Sequence, residues 1–301
     1  MAMNHCKNVF KWDKWNCPES AFSRRRKEIA TKEQAVVHAI MSASLVHIIT
    51  TNCSKGILKG CKCSTKVSRQ TIPKFTLRSP KASQETETTK VEWYWGGCYA
   101  DVELGQNIAI KVLDEMEVGN DAQTYANLHN NLVGRTMVHN AMVRKCRCHG
   151  ISGSCSLQTC WLQVSPFFKI AELIRHRYKK AIRTNLLNKV DSLEETPPIT
   201  TKKIEHISNH QLVYLEKSPN YCISDGARSW PGTKGRTCSR SKLKTATHME
   251  KRSCRNICRQ CGLKVRKHVR EIKKNCNCSF KWCCEVKCNV CIETVEEFYC
   301  D

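Results

Sequence analysis

The chain has 301 residues, enough for one or two cores, and carries 22 cysteines and a formal net charge of +23. So many thiols exclude a reducing cytosol unless they hold metal, and they fall as ten within residues 6–160 and twelve within residues 222–300. The second group has few long apolar runs between its cysteines, so cross-links there are expected to replace a hydrophobic core.

In chain order, Met1-Ala-Met-Asn-His-Cys lacks a charged start followed by an apolar stretch. No signal peptide is expected in this chain, and the natural start of a disulfide protein is then expected upstream, with Met1 inside a helix. Residues 28–50 place Ile29, Ala35, Val36, Ile40, Leu45 and Ile49 on one stripe, which predicts a helix. Its best apolar stretch, Ala35 to Ile49, is interrupted by His38, Ser42, Ser44 and His47, so no membrane span is expected. Asn52-Cys53-Ser54 reads as an N-glycosylation sequon at the helix end, and Cys53 with Cys61 would close a small loop. Thr65 to Lys90, rich in Ser, Thr, Lys and Pro, reads as a polar loop. Asp101 to Lys145 holds two helical segments broken near Gly119-Asn120-Asp121. The second, Ala122 to Arg144, carries Ala126, Leu128, Leu132, Val133, Met137, Val138 and Met142.

Cys146, Cys148, Cys155 and Cys160 bracket the six residues His149 to Ser154. Pairing Cys148 with Cys155 and Cys146 with Cys160 would clamp a hairpin by two nested rungs and put Ser152 at its tip. The flanks differ in length, so a bulge or tight turn near Gln158 is expected. A serine in such a cluster is commonly a turn residue, with Ser154 and Ser156 as neighbours of the same kind. A nucleophile elbow is not matched: Gly150-Ile151-Ser152-Gly153-Ser154 lacks the closing glycine and a strand-turn-helix setting, and His149 beside it makes no triad. No enzyme activity is expected.

Pro166 to Ile182 reads as an amphipathic helix with Arg175, Arg177, Lys179, Lys180 and Arg183 outward. Residues 185–211, with Pro197-Pro198 and alternating charges, have linker character. Leu212-Val213-Tyr214-Leu215 begins a strand-and-disulfide region. There Cys276 and Cys278 precede a tip, Ser279 to Lys287, and Cys288 and Cys291 follow it. Pairing Cys276 with Cys291 and Cys278 with Cys288 leaves a one-residue mismatch, hence a bulge expected on the return strand. Phe280 and Trp282 are either core, the usual fate of aromatics, or exposed anchors on a rigid loop. Asn277-Cys278-Ser279 is a second sequon, inside the stapled strand; Asn52 is the preferred glycosylation site. Cys258-x-x-Cys261 and Cys288-x-x-Cys291 have the spacing of zinc ligands, but eight further cysteines around them favour disulfides, so no metal or other cofactor is expected. From Glu216 to Asp301 there are 19 Lys/Arg against 9 Asp/Glu. That balance favours an extracellular polyanion such as heparan sulfate. The scattered basic residues lack stacking aromatics, so nucleic acid is not expected.

The run Cys146-Arg-Cys-His-Gly-Ile-Ser-Gly-Ser-Cys155, closed by Thr159-Cys160-Trp161, resembles the acylated-hairpin signature of the Wnt family of secreted lipid-modified growth factors. Trp12-Asp13-Lys14-Trp15-Asn16-Cys17-Pro18, Trp95-Gly96-Gly97-Cys98, Asn127-Leu128-His129-Asn130-Asn131 and Trp282-Cys283-Cys284 agree, so the resemblance runs from Cys6 to Cys300. Cys258-Arg-Gln-Cys261 is most similar to the Wnt-8 subfamily. The expected fold is α+β: a helical domain (1–184) bearing a lipid hairpin (146–160), a linker (185–211) and a disulfide-rich domain (212–301) with a receptor-contact hairpin (276–291).

The resemblance implies a monounsaturated fatty acyl ester on Ser152 and receptor contacts at Phe280, Lys281, Trp282, Cys283, Cys284 and Val286. It implies the disulfides Cys6–Cys17, Cys53–Cys61, Cys63–Cys98, Cys222–Cys261, Cys238–Cys254 and Cys258–Cys300, and a bond between adjacent Cys283 and Cys284. The partners implied are a Frizzled cysteine-rich domain, a lipoprotein-receptor-related co-receptor, a Porcupine-type acyltransferase and the carrier Wntless, acting in the extracellular space and matrix. The competing reading is a secreted, disulfide-rich binding or inhibitory protein without lipid, in which Ser152→Ala leaves activity intact. A cysteine-rich metal- or nucleic-acid-binding protein is the third, and it would show free thiols.

Overall fold

The computed structural model describes residues 1–23, 30–61, 63–69, 94–98, 100–155, 158–184, 207–226, 229–241 and 243–301. In chain order its helices are α1 (Ala2–Phe10), α2 (Lys32–Ser54), α3 (Val102–Ala109), α4 (Ala122–Asn140), α5 (Phe167–Lys179) and the one-turn α6 (His248–Lys251). Its strands are β1 (Cys63–Arg69), β2 (Tyr94–Cys98), β3 (Met142–Cys148), β4 (Gln158–Val164), β5 (Ile182–Arg183), β6 (Val213–Tyr214), β7 (Thr237–Cys238), β8 (Val265–Lys281) and β9 (Glu285–Cys300). The class is α+β, as expected. The chain forms two compact units, one of Ile29–Glu216 with Met1–Ala2, the other of Met3–Glu28 with Lys217–Asp301.

The first unit is built on α2. The Thr31 hydroxyl accepts from the Gln34 amide and caps the helix, one residue before Lys32. Ala35, Val36, Val37, Ala39, Ile40, Ala43 and Val46 are all buried, an arc wider than the expected stripe, while Gln34, Met41, Leu45, Ile48 and Asn52 line the less buried side. By length and composition α2 is also long and apolar enough to cross a membrane; here α3, α4 and α5 enclose it. Glycines set how closely they approach. A Cβ on Gly134 of α4 would stand 2.1 Å from the carbonyl oxygen of Ala39, and one on Gly105 of α3 would stand 2.9 Å from Thr50 Oγ1. Asp101 and Asp121 cap α3 and α4 by accepting from the amides of Leu104 and Thr124 at 2.9 and 2.8 Å. Helix α4 stops at Asn140, four residues short of the sequence expectation, because the β-propensity of Met142-Val143 and the stapled ladder beyond them win over the apolar period.

Asn127, His129, Asn130, Asn131 and Arg135 of α4 are buried too, and each is spoken for. Asn130 brackets a strand residue with both ends of its amide: Nδ2 donates to the Val213 carbonyl and Oδ1 accepts from the Val213 amide, each at 3.0 Å. Asn131 and Arg135 converge on Asp114, and Asn127 donates to Glu117. His129 Nε2 lies 2.9 Å from the carbonyl of Gln211; a carbonyl only accepts, so Nε2 carries the proton. Burial pulls the His129 imidazole below its ordinary value of 6.5, partly offset by that hydrogen bond. The neutral ring is the folded form. Its stabilisation is therefore complete above pH 6.5 and lost as pH falls through the lower folded value. The melting temperature of the wild type is expected to drop between pH 7 and pH 5, and by less in His129→Gln, whose amide donates at any pH. Equal pH slopes in a calorimetric titration would contradict this.

Strands β1 and β2 pair antiparallel with Cys63 opposite Cys98, so a strand begins where a polar loop was expected. The Cys63–Cys98 bond, the rest of the 65–90 loop and residues 185–206 of the linker lie outside the described residues. Leu212 to Leu215 does supply a strand, but β6 runs parallel to β5 inside the first unit instead of opening the second, and Ile182 is in β5 rather than in α5.

The second unit has little apolar bulk. Cys238, Cys254, Ile257, Cys258 and Cys300 form its buried centre, with Trp12, Leu263, Val265 and Phe298 packed around them. Cys238–Cys254, Cys258–Cys300 and Cys222–Cys261 close it, so the cross-links do stand in for a core. Residues 3–28, expected in the helical domain, belong here. Arg236 holds them by donating to the carbonyls of Lys14, Asp13 and Lys11 at 2.6, 2.8 and 3.1 Å. Cys6–Cys17 and the edge-to-face pair Phe10–Trp15 shape that segment locally. The sheet order is β7-β9-β8, with β8 and β9 running on as a long two-stranded ribbon.

Candidate functional site: two stapled hairpins

The first hairpin is β3 and β4. Their ladder runs in unbroken register from Met142↔Val164 through Cys146↔Cys160 to Cys148↔Gln158. Cys146–Cys160 is a rung of that ladder, whereas Cys155 reaches Cys148 from the loop. The unequal flanks are thus absorbed by the loop, and the ladder contains no bulge. The tip is closed by Gly150 N–H to Ser154 O at 2.9 Å, with Gly153 and Ser154 amides turning back to Gly150 and Ile151. Ser152 sits at the apex with φ 56° and ψ 25°, followed by Gly153 at φ 78°. An L-residue in the left-handed region carries a cost that glycine avoids, of about 1 kcal/mol or more, so the turn spends energy to aim one hydroxyl outward. Ser152 and Ser154 are exposed, and Ser156 lies outside the described residues.

The second hairpin is the far end of the β8–β9 ribbon. Cys276–Cys291 and Cys278–Cys288 both form. The register shifts between Cys276 and Ser279, where three steps on β8 oppose two on β9. The bulge is therefore on the outgoing strand, not the return strand as expected. Asn277 is the reason: its φ is 47°, and asparagine tolerates the left-handed region better than most residues. Near the base of the ribbon the charges are paired across strands, Lys267–Glu296, Arg270–Glu297 and Lys274–Glu293. Exposed pairs of this kind are worth about 1 kcal/mol or less each and fix register more than stability.

At the tip, Cys283 and Cys284 hold φ values of 76° and 87° and make the reversal. Their sulfurs are 4.0 Å apart and both thiols are free and exposed, which corrects the expected bond between them. Neighbouring Cα atoms are about 3.8 Å apart across a trans peptide, below the roughly 4.4–6.8 Å that disulfides ordinarily span. The rung Cys278–Cys288 and the double left-handed turn stiffen the tip instead. Phe280, Lys281 and Val286 are exposed, and Trp282 is 94 % exposed. Of the two placements of these aromatics, core or exposed, the second is the one found. Because Trp282 touches almost nothing in its own chain, Trp282→Ala is expected to leave the melting temperature within about 1 °C, a change typical of surface sites.

The remaining expected positions are scattered. Asn52 is half-buried in the last turn of α2, beside the Cys53–Cys61 bond, while Asn277 is exposed at its bulge. The zinc-spaced pairs are consumed by disulfides: Cys258 joins Cys300, Cys261 joins Cys222, Cys288 joins Cys278 and Cys291 joins Cys276. Nine disulfides are present among the described residues, each with a partner named from the sequence. One feature of the tip escaped sequence reasoning. Ile151, beside Ser152, is 93 % exposed, and the signal for it was an aliphatic residue placed among turn formers.

A family model described as the wnt family matches residues 1–301. Protein Wnt-8b of Danio rerio is 38% identical over 99% of this chain and 79% of its own length, and Protein Wnt-8a of Homo sapiens is 36% identical over 99% and 82%. A chain in the solved structure of human WLS in complex with WNT8A is 35% identical, covers 100% of this chain and 90% of its own, and superposes with a TM-score of 0.68. Two exposed, cysteine-stapled ribbons, a helical unit, a unit closed by cross-links and a match over the full length lead to one conclusion: the chain belongs to the Wnt family of secreted signalling ligands.

Proposed function

We propose that this ligand carries a monounsaturated fatty acyl ester on Ser152 and signals by gripping a Frizzled cysteine-rich domain from two sides. The acyl chain enters a groove on the receptor, and the tip around Phe280, Lys281, Trp282, Cys283, Cys284 and Val286 binds the opposite side. The observation that carries the reading is the apex of the first hairpin, where a disulfide-clamped turn holds one serine outward in the left-handed region. A fully exposed tryptophan on a rigid loop supports the second contact, since buried aromatics dominate binding hot spots once a partner covers them. A lipoprotein-receptor-related co-receptor is recruited elsewhere on the ligand, and bringing the two receptors together is the signal. A Porcupine-type acyltransferase attaches the lipid. Such a chain does not stay free in water, so a carrier is needed, and the solved complex of WLS with WNT8A makes Wntless the candidate. Heparan sulfate would retain the basic ligand in the matrix, and Asn52 is the proposed glycan site.

Mass spectrometry of the Ser152 peptide from secreted protein tests this. A fatty ester on Ser152 is the expected mass; an unmodified peptide from protein that still activates its receptor fully returns the reading to a lipid-free binding protein. In the same material Trp282→Ala is expected to weaken receptor binding by roughly thirtyfold or more, the range of an anchor residue, without loss of the ester.

A further inference from the structure

We propose that the first hairpin is also a docking face for an anionic lipid surface, with Arg144, Lys145 and Arg147 supplying the charge. Residues 142–164 contain three Lys/Arg and no Asp or Glu. All three side chains are exposed, as is His149, and none pairs with a carboxylate among the described residues. The β8–β9 ribbon makes the contrast, because its cations at 267, 270 and 274 each face a glutamate. Most cations of that ribbon have a carboxylate beside them, whereas residues 142–164 offer theirs none.

The placement of the charge matters as much as its sign. Lys145 and Arg147 alternate along β3 and so share a face, about 7 Å apart, with half-buried Trp161 opposite Lys145. Beyond them the hairpin ends in Ile151, 93 % exposed. An aliphatic apex, then a ring of cations and a tryptophan, is the order in which an interfacial segment meets acyl chains and headgroups. A polysaccharide would use the cations but gain nothing from Ile151, which favours the lipid surface. The inference deepens the acylation reading and rests on it in one respect: a single acyl chain holds a membrane only marginally, and a basic patch is the kind of second signal that makes the hold stable.

Vesicle co-sedimentation separates the two ideas. Secreted protein, with its Ser152 mass recorded, is mixed with phosphatidylcholine vesicles with and without phosphatidylserine, at low and high salt. The wild type is expected to prefer the anionic vesicles at low salt. Each cation near such a surface is worth about fivefold, so K145Q/R147Q should lose on the order of 25-fold of that preference, and K145R/R147K should keep it. Arg144 is left in place because it donates to Cys160 Sγ. Ser152→Ala should bind all vesicles more weakly yet retain its anionic preference. Acylated wild type that binds both vesicles alike overturns the proposal and leaves acylation standing. An unacylated wild type that still prefers phosphatidylserine does the reverse. Soluble heparin binding that falls in K145Q/R147Q, with no vesicle preference, assigns the face to polysaccharide and also overturns it.

Discussion

Secreted Ser152→Ala protein is expected to lack the fatty ester and to bind a Frizzled cysteine-rich domain roughly a thousandfold more weakly, with its melting temperature unchanged. The magnitude follows from hydrophobic transfer. A buried methylene is worth about 0.8 kcal/mol, so a long chain in a groove supplies roughly 10 kcal/mol gross, and even about 4 kcal/mol of that amounts to about three orders of magnitude. Stability is unaffected because Ser152 is exposed at the apex of a loop tied by Cys148–Cys155. Alanine at φ 56° is mildly strained, so Ser152→Gly is the companion variant, glycine being at ease there. Both should fail equally in surface plasmon resonance on the immobilised receptor domain. A glycine variant that binds normally would move the effect from the lipid to the turn.

The largest effect on folding is expected from Gly134→Ala. Helix propensity alone would favour alanine by about 1 kcal/mol. The new methyl would stand 2.1 Å from the Ala39 carbonyl oxygen, and a backbone oxygen inside a core helix has nowhere to swing. Helix α2 or α4 must shift as a body, which disturbs packing along both, and overpacking of this kind costs about 1–3 kcal/mol or more. At the upper end of that cost the clash wins, with a net loss of about 2 kcal/mol and a melting temperature lower by roughly 5 °C. Gly105→Ala should cost less, because its closest contacts, Thr50 Oγ1 at 2.9 Å and the Val46 carbonyl at 3.1 Å, are longer. Differential scanning calorimetry of the pair decides it; a Gly134→Ala protein as stable as the wild type would disprove the close crossing.

What the sequence revealed tracks how local each constraint is. The rungs Cys146–Cys160, Cys148–Cys155, Cys276–Cys291 and Cys278–Cys288 lie close in sequence, and spacing alone suggested them. The side of the second bulge was not legible, because two cysteine pairs state a mismatch without saying which strand absorbs it. Asn277 carried that signal through its tolerance of positive φ. The state of Cys283 and Cys284 depends on whether a reversal of two left-handed residues brings the sulfurs together, and the resemblance gave the wrong answer. Asn127 to Asn131 stood out as a signature, yet its role was hidden. Asn130 serves Val213, a residue 83 positions away, and no periodicity encodes that. The domain boundary failed for the same reason: Arg236 reaches back more than 200 residues to the carbonyls of Lys11, Asp13 and Lys14.

That long reach dictates an order of events during biosynthesis. Residues 3–23 emerge before the segments they pack against, and Cys6 and Cys17 can join at once. Trp12 must wait for Phe298 and the Cys258–Cys300 bond, both far downstream of it. Pairings between distant positions are slow and leave apolar surface uncovered meanwhile, so the packing around Trp12 stays incomplete until Cys300 has been made. Removing residues 258–301 would therefore unmake the packing around Trp12 while sparing the helices of the first unit.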